Sequence, residues 1–362
     1  MEDRLKKLPQ LIALQKTLAP HTAILLSRPN DLTYFLSIHV GAEERECFSL
    51  ITKKSALVIH SPLVHVGKTN TIRYIADLSK PGWSHAASLL TEKMIAQIQV
   101  DEADVRVREL KSIKKLLKIP IKPLNRDSIW KLRMVKSALE LKKMRRAGVI
   151  TARALAHLRT ELLPGMTEVA TARRLEAIMF ELGANATAFP TIVAFGTHTA
   201  NPHHTPSTRA LAPETPVLID CGAKCKGYCS DITRTFWFGE TPSDQFIQIQ
   251  DIVQQAYDAG LALLKKKTSL SLIAQEVDAA VRQFIHVHNF GTYFIHSTGH
   301  GLGIDIHEPP AIAPRDNTTL RPSMVITIEP GIYLPTKLGY RHENTILLSK
   351  NGVEILTEAL AN

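Results

Sequence analysis

The 362-residue sequence predicts a smaller α/β unit followed by a larger α+β unit. Three observations carry that expectation. Short apolar runs alternate with helical stretches over residues 1 to about 120. A proline-punctuated connector, Ile119-Pro120 to Pro123, then interrupts the pattern. Beyond it, helical and strand-like segments come in blocks, helices before strands, twice over. The expected domains are residues 1–122 and 123–362. A chain of this length exceeds one average core, which makes two domains the natural division.

In the first unit, AILLSR (23–28), CFSLIT (47–52) and SALVIH (55–60) have the apolar, β-branched character of strands. Asn30 and Asp31 signal a turn. Residues 84–96 and 104–117 have helical periodicity. No nucleotide-binding glycine pattern follows the first strand, so this half is expected to hold no cofactor site of its own.

In the second unit, Ser128 to Leu163 is helical by pattern and closes at Pro164-Gly165. Thr167-Glu168 opens a helix running to about Leu182, with Gly183 as its stop. FPTIVAFG (189–196), PVLIDCG (216–222) and ITRTFWFG (232–239) are strand-like. Helices follow near 243–266 and 270–288. Strands return in FIHS (294–297), MVITIEP (324–330) and ENTILLS (343–349). The repeated helix-then-strand order suggests an internal pseudo-duplication.

Hydrophobic residues make up 44% and charged residues 22%, ordinary values for a globular protein. No apolar run approaches the ~20 residues of a membrane span. The N-terminal MEDRLKKLPQLIALQ carries acids and no long apolar core, which argues against a secretory signal and for the cytoplasm. The net charge of +10 is concentrated between Lys111 and Arg146. That segment resembles an amphipathic helix with a solvated basic face. No nucleic-acid motif accompanies it, so no nucleic-acid partner is expected. Cys221, Cys225 and Cys229 are spaced by four and lack a C-x2-C knuckle, so with Cys47 they are expected as free thiols in a reducing compartment.

The chemistry is concentrated in HSTGHGLGIDIHEPP (296–310). His296, His300 and His307 lie four and seven residues apart, and Gly299, Gly301 and Gly303 surround the middle one. Glycine lets another group approach the backbone closely. One histidine here would be a solvated loop residue; three within twelve residues favour metal chemistry.

Four acids stand at strand ends. Asp220 closes PVLID, Asp231 opens DITRTF, Glu329 closes MVITIE and Glu343 opens ENTILLS. The segment between Gly222 and Gly227 would bring the two aspartates to one side. An acid at the inner end of an apolar strand is costly to bury unless it is paired or bound to a cation. Four such acids and His300 form a hard, oxygen-rich ligand set. It suits two divalent ions about 3.5–4 Å apart, bridged by carboxylates and a water of lowered pKa. Manganese is expected first, with cobalt or zinc able to substitute.

In this order, DCGAKCKGYCSDITRTF, HSTGHGLGIDIHEPP, IEPGIY and RHEN resemble the metallopeptidases of the pita-bread fold, a family that includes methionine aminopeptidase, aminopeptidase P and prolidase. The likeness covers about residues 125–358. Residues 1–120 resemble the creatinase-type N-terminal domain of aminopeptidase P and prolidase, with RPNDLTYF (28–35) similar to its loop-and-strand segment.

The resemblance makes Asp220, Asp231, His300, Glu329 and Glu343 the metal ligands, with Asp231 and Glu343 bridging. Glu329 would also take a proton from the bridging water, and His307 would steady the tetrahedral intermediate. His203, seventeen residues before Asp220, matches the substrate-side histidine, with His204 as the alternative. His296 would line the subsite for the proline side, and Tyr333 and Arg341 would support it. Ser297 in place of a glycine, His342 in place of an apolar residue and the cysteine set depart from the pattern. None removes a ligand.

The implied function is a metal-dependent Xaa-Pro aminopeptidase that cleaves before proline with a metal-bridging hydroxide. A prolidase cleaving only Xaa-Pro dipeptides is the alternative. A metal-free creatinase-like hydrolase and a non-catalytic peptide-binding module are further rivals. The expected partner is a peptide with proline in second place, and the resemblance implies a homodimer.

Overall fold

The computed structural model describes residues 8–41, 47–64, 72–76, 90, 94–266 and 272–358. The chain divides into two compact units, Met1–Leu132 and Arg133–Asn362. No helix among the described residues is long and apolar enough to cross a membrane.

The first unit runs α1 (Pro9–Thr17), β1 (Thr22–Leu26), α2 (Pro29–Leu36), β2 (Cys47–Thr52), β3 (Ala56–His60), β4 (Ile72–Ala76), β5 (Gln97–Val100), α3 (Val107–Leu117), β6 (Ile121–Pro123) and α4 (Asp127–Met134). Its sheet has the order β4-β3-β2-β1-β5-β6. The β1–β2 and β2–β3 pairs are antiparallel and the rest are parallel. The unbroken apolar run of β1 is buried throughout, as a central strand covered on both faces requires. Ile24 and Leu26 pack with Leu14, Leu32 and Phe35, while Ala23 and Leu25 pack with Leu57, Ile98 and Ile113. The alternation follows the two-residue period of a strand.

RPNDLTYF is a helix here, not a turn and strand. Pro29 occupies the first helical turn, where its missing N–H costs nothing, and Asp31 complements the helix N-terminus. Ile121–Pro123, expected as a connector, pairs with β5 as a strand. The Arg126 guanidinium bonds Asp31 at 2.8 Å and Asp101 at 2.7 Å, and Tyr34 donates to the Leu132 carbonyl at 2.8 Å. These bonds fasten the chain around α4 to the first sheet, so the division between units falls after Leu132. The helix expected over 84–96 lies for the most part outside the described residues.

The second unit runs α5 (Ala138–Glu161), α6 (Glu168–Glu181), β7 (Ala186–Thr187), β8 (Ile192–Phe195), β9 (Thr215–Cys221), β10 (Ala223–Cys225), β11 (Tyr228–Cys229), β12 (Ile232–Phe238), α7 (Asp244–Lys266) and α8 (Ala274–Val287). Then come β13 (Gly299–Gly301), β14 (Glu308–Ile312), β15 (Val325–Ile328), β16 (Gly331–Leu334), β17 (Leu338–Arg341), β18 (Asn344–Ser349) and β19 (Gly352–Ile355). The pairings described in this unit are antiparallel. The two larger sheets have the orders β12-β9-β8 and β14-β13-β15-β18-β19. One core packs α5 and α6 on the first sheet; α7 and α8 cover the second. In each half, two helices precede a strand pair that flanks a small hairpin: β10–β11 between β9 and β12, β16–β17 between β15 and β18.

Two sequence expectations shift. The helix expected from Ser128 to Leu163 is broken before Ser137. There Ser137 and Glu140 form a capping box, the Ser137 amide donating to the Glu140 carboxylate at 2.9 Å. The FIHS segment is not a strand. Its Phe294 and His296 carbonyls accept from the Arg282 guanidinium at 3.2 and 2.9 Å, in place of a neighbouring strand.

Candidate metal centre

The two antiparallel pairs place the four acids. Asp220 lies opposite Thr233 in the β9–β12 ladder, and Asp231 sits just before β12. Ile328 lies opposite Asn344 in the β15–β18 ladder, so Glu329 and Glu343 leave the ladder together at one end. His300 projects from β13 where the register with β14 shifts, a place where a bulge re-aims a side chain. The flanking glycines are needed for close approach. A Cβ on Gly299 would stand 2.1 Å from the Thr327 carbonyl oxygen, and one on Gly301 would stand 2.4 Å from that of Pro309.

These side chains converge. Ligating atoms of Asp231, His300 and Glu343 all lie within 4.8 Å of one another. His300 Nε2 is 3.6 Å from Asp231 Oδ2 and 3.4 Å from Glu329 Oε1, too far for good direct hydrogen bonds. His300 Nδ1 is 3.0 Å from the Gly301 carbonyl, so it carries the proton and leaves Nε2 as a lone pair facing the acids. Asp220 Oδ2 accepts from Arg341 at 2.7 Å, while its buried Oδ1 has no hydrogen-bond partner among the described residues.

The electrostatics strain in one direction. Burial, then the charges of Glu343, Asp220 and Glu329, push the Asp231 carboxyl well above its usual range. Burial, then Glu329 and Asp220, do the same to Glu343. Burial raises Glu329 to about 8, against the opposing charge of Arg341. Burial lowers His300. Crowded buried carboxylates of this kind stay protonated or take up a cation. The orphaned Asp220 oxygen, the oxygen-rich donors and the outward lone pair of His300 all fit a divalent metal.

Threonines hold the acids from the same strand faces. Thr233 donates to Glu343 at 2.6 Å and Thr327 donates to Glu329 at 3.0 Å. Neither was singled out in the sequence. Thr233 and Thr327 each lie on a strand two residues from an acid just beyond its end, and the period of two could have found them. Arg341 joins Asp220 to Thr233 at 3.0 Å and to the Tyr333 hydroxyl at 2.7 Å.

A cleft of about 460 Å³ opens onto this cluster. Nine of the ten side chains singled out in the sequence line it: His203, Asp220, Asp231, His296, His300, His307, Glu329, Arg341 and Glu343. Tyr333 does not line it but bonds two residues that do, His296 and Arg341. The His307 ring packs edge-on against that of His300, centroids 4.4 Å apart. His204 also lines the cleft, yet its Nε2 is engaged by Glu168 at 2.8 Å. Phe189, Pro190, Ile192, Pro202, Pro206 and Ile306 supply an apolar wall.

A second brace lies behind His307. The Glu308 carboxylate is held by Arg133, by Lys136 at 3.5 Å and by the amides of Ile304 and Asp305 at 3.0 and 3.1 Å. Arg133 and Lys136 were expected on a solvated basic face. They are instead buried, because Glu308 provides the charge they need. All four cysteines are free and buried, and burial followed by the Asp220 and Asp231 charges pushes the Cys221 thiol far up.

Known proteins resemble this chain in sequence and in fold. Residues 142–350 match the model of metallopeptidase family M24. An Xaa-Pro dipeptidase from Pyrococcus furiosus is 38% identical over 232 residues, which span 64% of this chain and 65% of that protein. The solved structure of an Xaa-Pro dipeptidase from Bacillus anthracis superposes with a TM-score of 0.88 at 31% identity, covering 98% of both chains. That of an X-Pro aminopeptidase from Thermotoga maritima gives 0.84 at 30% identity, covering 96% of this chain and 98% of that one. The fold is accordingly the pita-bread metallopeptidase fold behind a smaller α/β unit. With its acids, histidines and cleft arranged in this way, the chain belongs to metallopeptidase family M24.

Proposed function

We propose that this chain hydrolyses the bond between an N-terminal residue and a following proline, and prefers the Xaa-Pro dipeptide to longer peptides. The observation that carries the proposal is the convergence of four carboxylates and His300 at an apolar-walled cleft. Asp220, Asp231, His300, Glu329 and Glu343 would hold two divalent cations. Such ions supply Lewis acidity and a water of lowered pKa. Manganese suits the oxygen-rich donors best.

The remaining roles belong to the chain itself. Glu329, a carboxylate at the cleft held by Thr327, receives and returns the proton of the attacking water. His307 and His203 donate to the oxygen that becomes negative in the tetrahedral intermediate. The apolar wall around Phe189, Pro190 and Ile306 excludes water and accepts the pyrrolidine ring. His296 closes the proline side, and Tyr333 and Arg341 hold it in place. A proline bond lacks an N–H and constrains its neighbour, so a dedicated cleft is needed.

The sequence alone leaned toward the aminopeptidase. Two of the three similar proteins named above are Xaa-Pro dipeptidases, one with the higher structural overlap, and they support the dipeptidase reading better. The test is release of the amino-terminal residue from an Xaa-Pro dipeptide and an Xaa-Pro-Pro tripeptide by manganese-loaded protein. A kcat/KM at least about tenfold higher for the dipeptide is expected, a difference of about 1.4 kcal/mol. The opposite ranking restores the aminopeptidase. Metal binding without turnover of either peptide points to a binding module.

A further inference from the structure

A second cluster of metal-binding side chains lies outside the carboxylate centre. Glu168 opens α6 with its side chain fully buried. Its Oε1 accepts from the Phe195 amide at 2.8 Å and lies 2.8 Å from His198 Nδ1. Its Oε2 accepts from the Ser207 amide at 2.9 Å and hydroxyl at 2.6 Å, and lies 2.8 Å from His204 Nε2. Burial opposes ionisation of this carboxyl, but these hydrogen bonds together hold it down at about 2. Among the described residues no lysine or arginine pairs with it, so the two imidazoles face a buried anion alone.

We propose that Glu168, His198 and His204 form a third cation site, suited to a zinc-like divalent ion. The ligand atoms already lie within 4.8 Å of one another, and the two imidazole centroids are 4.4 Å apart at 36°. A tetrahedral ion with bonds of roughly 2.0–2.2 Å needs nitrogen and oxygen about 0.5–0.8 Å farther apart than the 2.8 Å at which these hydrogen bonds hold them, a shift that side-chain rotation can supply. The ion takes the place of the two N–H protons that face Glu168; each ring keeps one proton on its other nitrogen, through a tautomer shift if it starts neutral or with release of one proton to solvent if it starts as an imidazolium. The Phe195 and Ser207 amides stay on Glu168 and keep it aimed, as outer partners of metal ligands do. Two imidazoles and one carboxylate make a borderline donor set that favours zinc over manganese. His198 is 33% exposed, which leaves an entry path and room for water as a fourth ligand.

His198, His204 and Ser207 all belong to the segment that carries His203 into the cleft. An ion here clamps that segment to the start of α6 and fixes His203 from behind. The site itself does not depend on the proposed reaction.

The test is metal analysis of the full chain equilibrated with buffered free Zn2+, for the wild type, His198→Ala, Asp231→Ala and the double variant. Circular dichroism establishes that each is folded. His198→Ala is expected to lower the zinc count by one per chain in both the wild-type and the Asp231→Ala background. An unchanged count in either background overturns the proposal. As a second measurement, Asp231→Ala titrated with Co2+ should show the visible absorption of a four-coordinate centre, and Asp231→Ala/His198→Ala should lack it. Equal absorption in the two also overturns it. A wild-type chain that binds this ion but hydrolyses neither peptide fails the reaction assignment and leaves the site standing, whereas an active chain with an unchanged zinc count in His198→Ala fails the site alone.

Discussion

The Tyr333 hydroxyl lies 2.9 Å from His296 Nε2. The same hydroxyl accepts from Arg341 at 2.7 Å, so its own proton points to the imidazole. His296 Nδ1 donates to the Ser297 carbonyl at 2.7 Å. The ring is therefore a neutral tautomer with both nitrogens engaged. Burial, then the charge of Arg341, lowers its pKa to about 4. His296 meets the cleft as a fixed, uncharged wall, not as a proton donor.

Removal of the Tyr333 hydroxyl tests that arrangement. Tyr333→Phe leaves His296 Nε2 and one Arg341 donor without a partner, a loss of about 1–3 kcal/mol. Bound metal should be unchanged while kcat/KM falls about tenfold or more. Steady-state kinetics together with metal analysis would show it; unchanged kinetics would exclude this positioning role of the hydroxyl.

Metal uptake should release protons. Asp231 and Glu343 are raised well above their ordinary range and Glu329 to about 8, so at pH 7 metal-free protein holds protons that a cation displaces. The sign for stability follows. A raised carboxyl binds more protons folded than unfolded between its ordinary pKa and its raised one, so metal-free protein loses stability as pH rises through that window. Saturating metal should flatten the trend. Calorimetry in buffers of different ionisation enthalpy measures the proton count, and a count of zero at pH 7 contradicts it.

Asp231 lies 3.6 Å from His300 Nε2 and feels the charges of Glu343, Asp220 and Glu329. Asp231→Ala is expected to lose metal and at least about a hundredfold in kcat, about 2.7 kcal/mol of barrier. Full activity in this variant would remove the two-cation reading.

The Arg133–Glu308 pair predicts a stability effect. Arg133→Met leaves Glu308 with Lys136 and two amides, and breaking a buried pair costs about 3–5 kcal/mol. Urea unfolding followed by fluorescence should register the loss. His307 adjoins Glu308, so KM and kcat should also worsen.

The sequence by itself determined the strands that carry the acids, because alternation of apolar residues and the turn glycines are local signals. PVLID, MVITIE and ENTILLS were legible as strands with carboxylates at their ends, and HSTGHG as a glycine-flanked histidine. Nine of the ten side chains chosen on that basis line one cleft. The helix at Pro29 and the cap at Ser137 were misread as a turn and as the interior of one helix, although their signals are local: Pro29 at the first helical turn and the S-x-x-E pattern. Only the tertiary structure decided the burial of Arg133 and Lys136, whose partner Glu308 lies more than 170 residues away. The same holds for Glu168 with His198 and His204, and for the neutral state of His296. A charged side chain looks alike in sequence whether water or a distant counter-charge solvates it, and folding alone chooses between them.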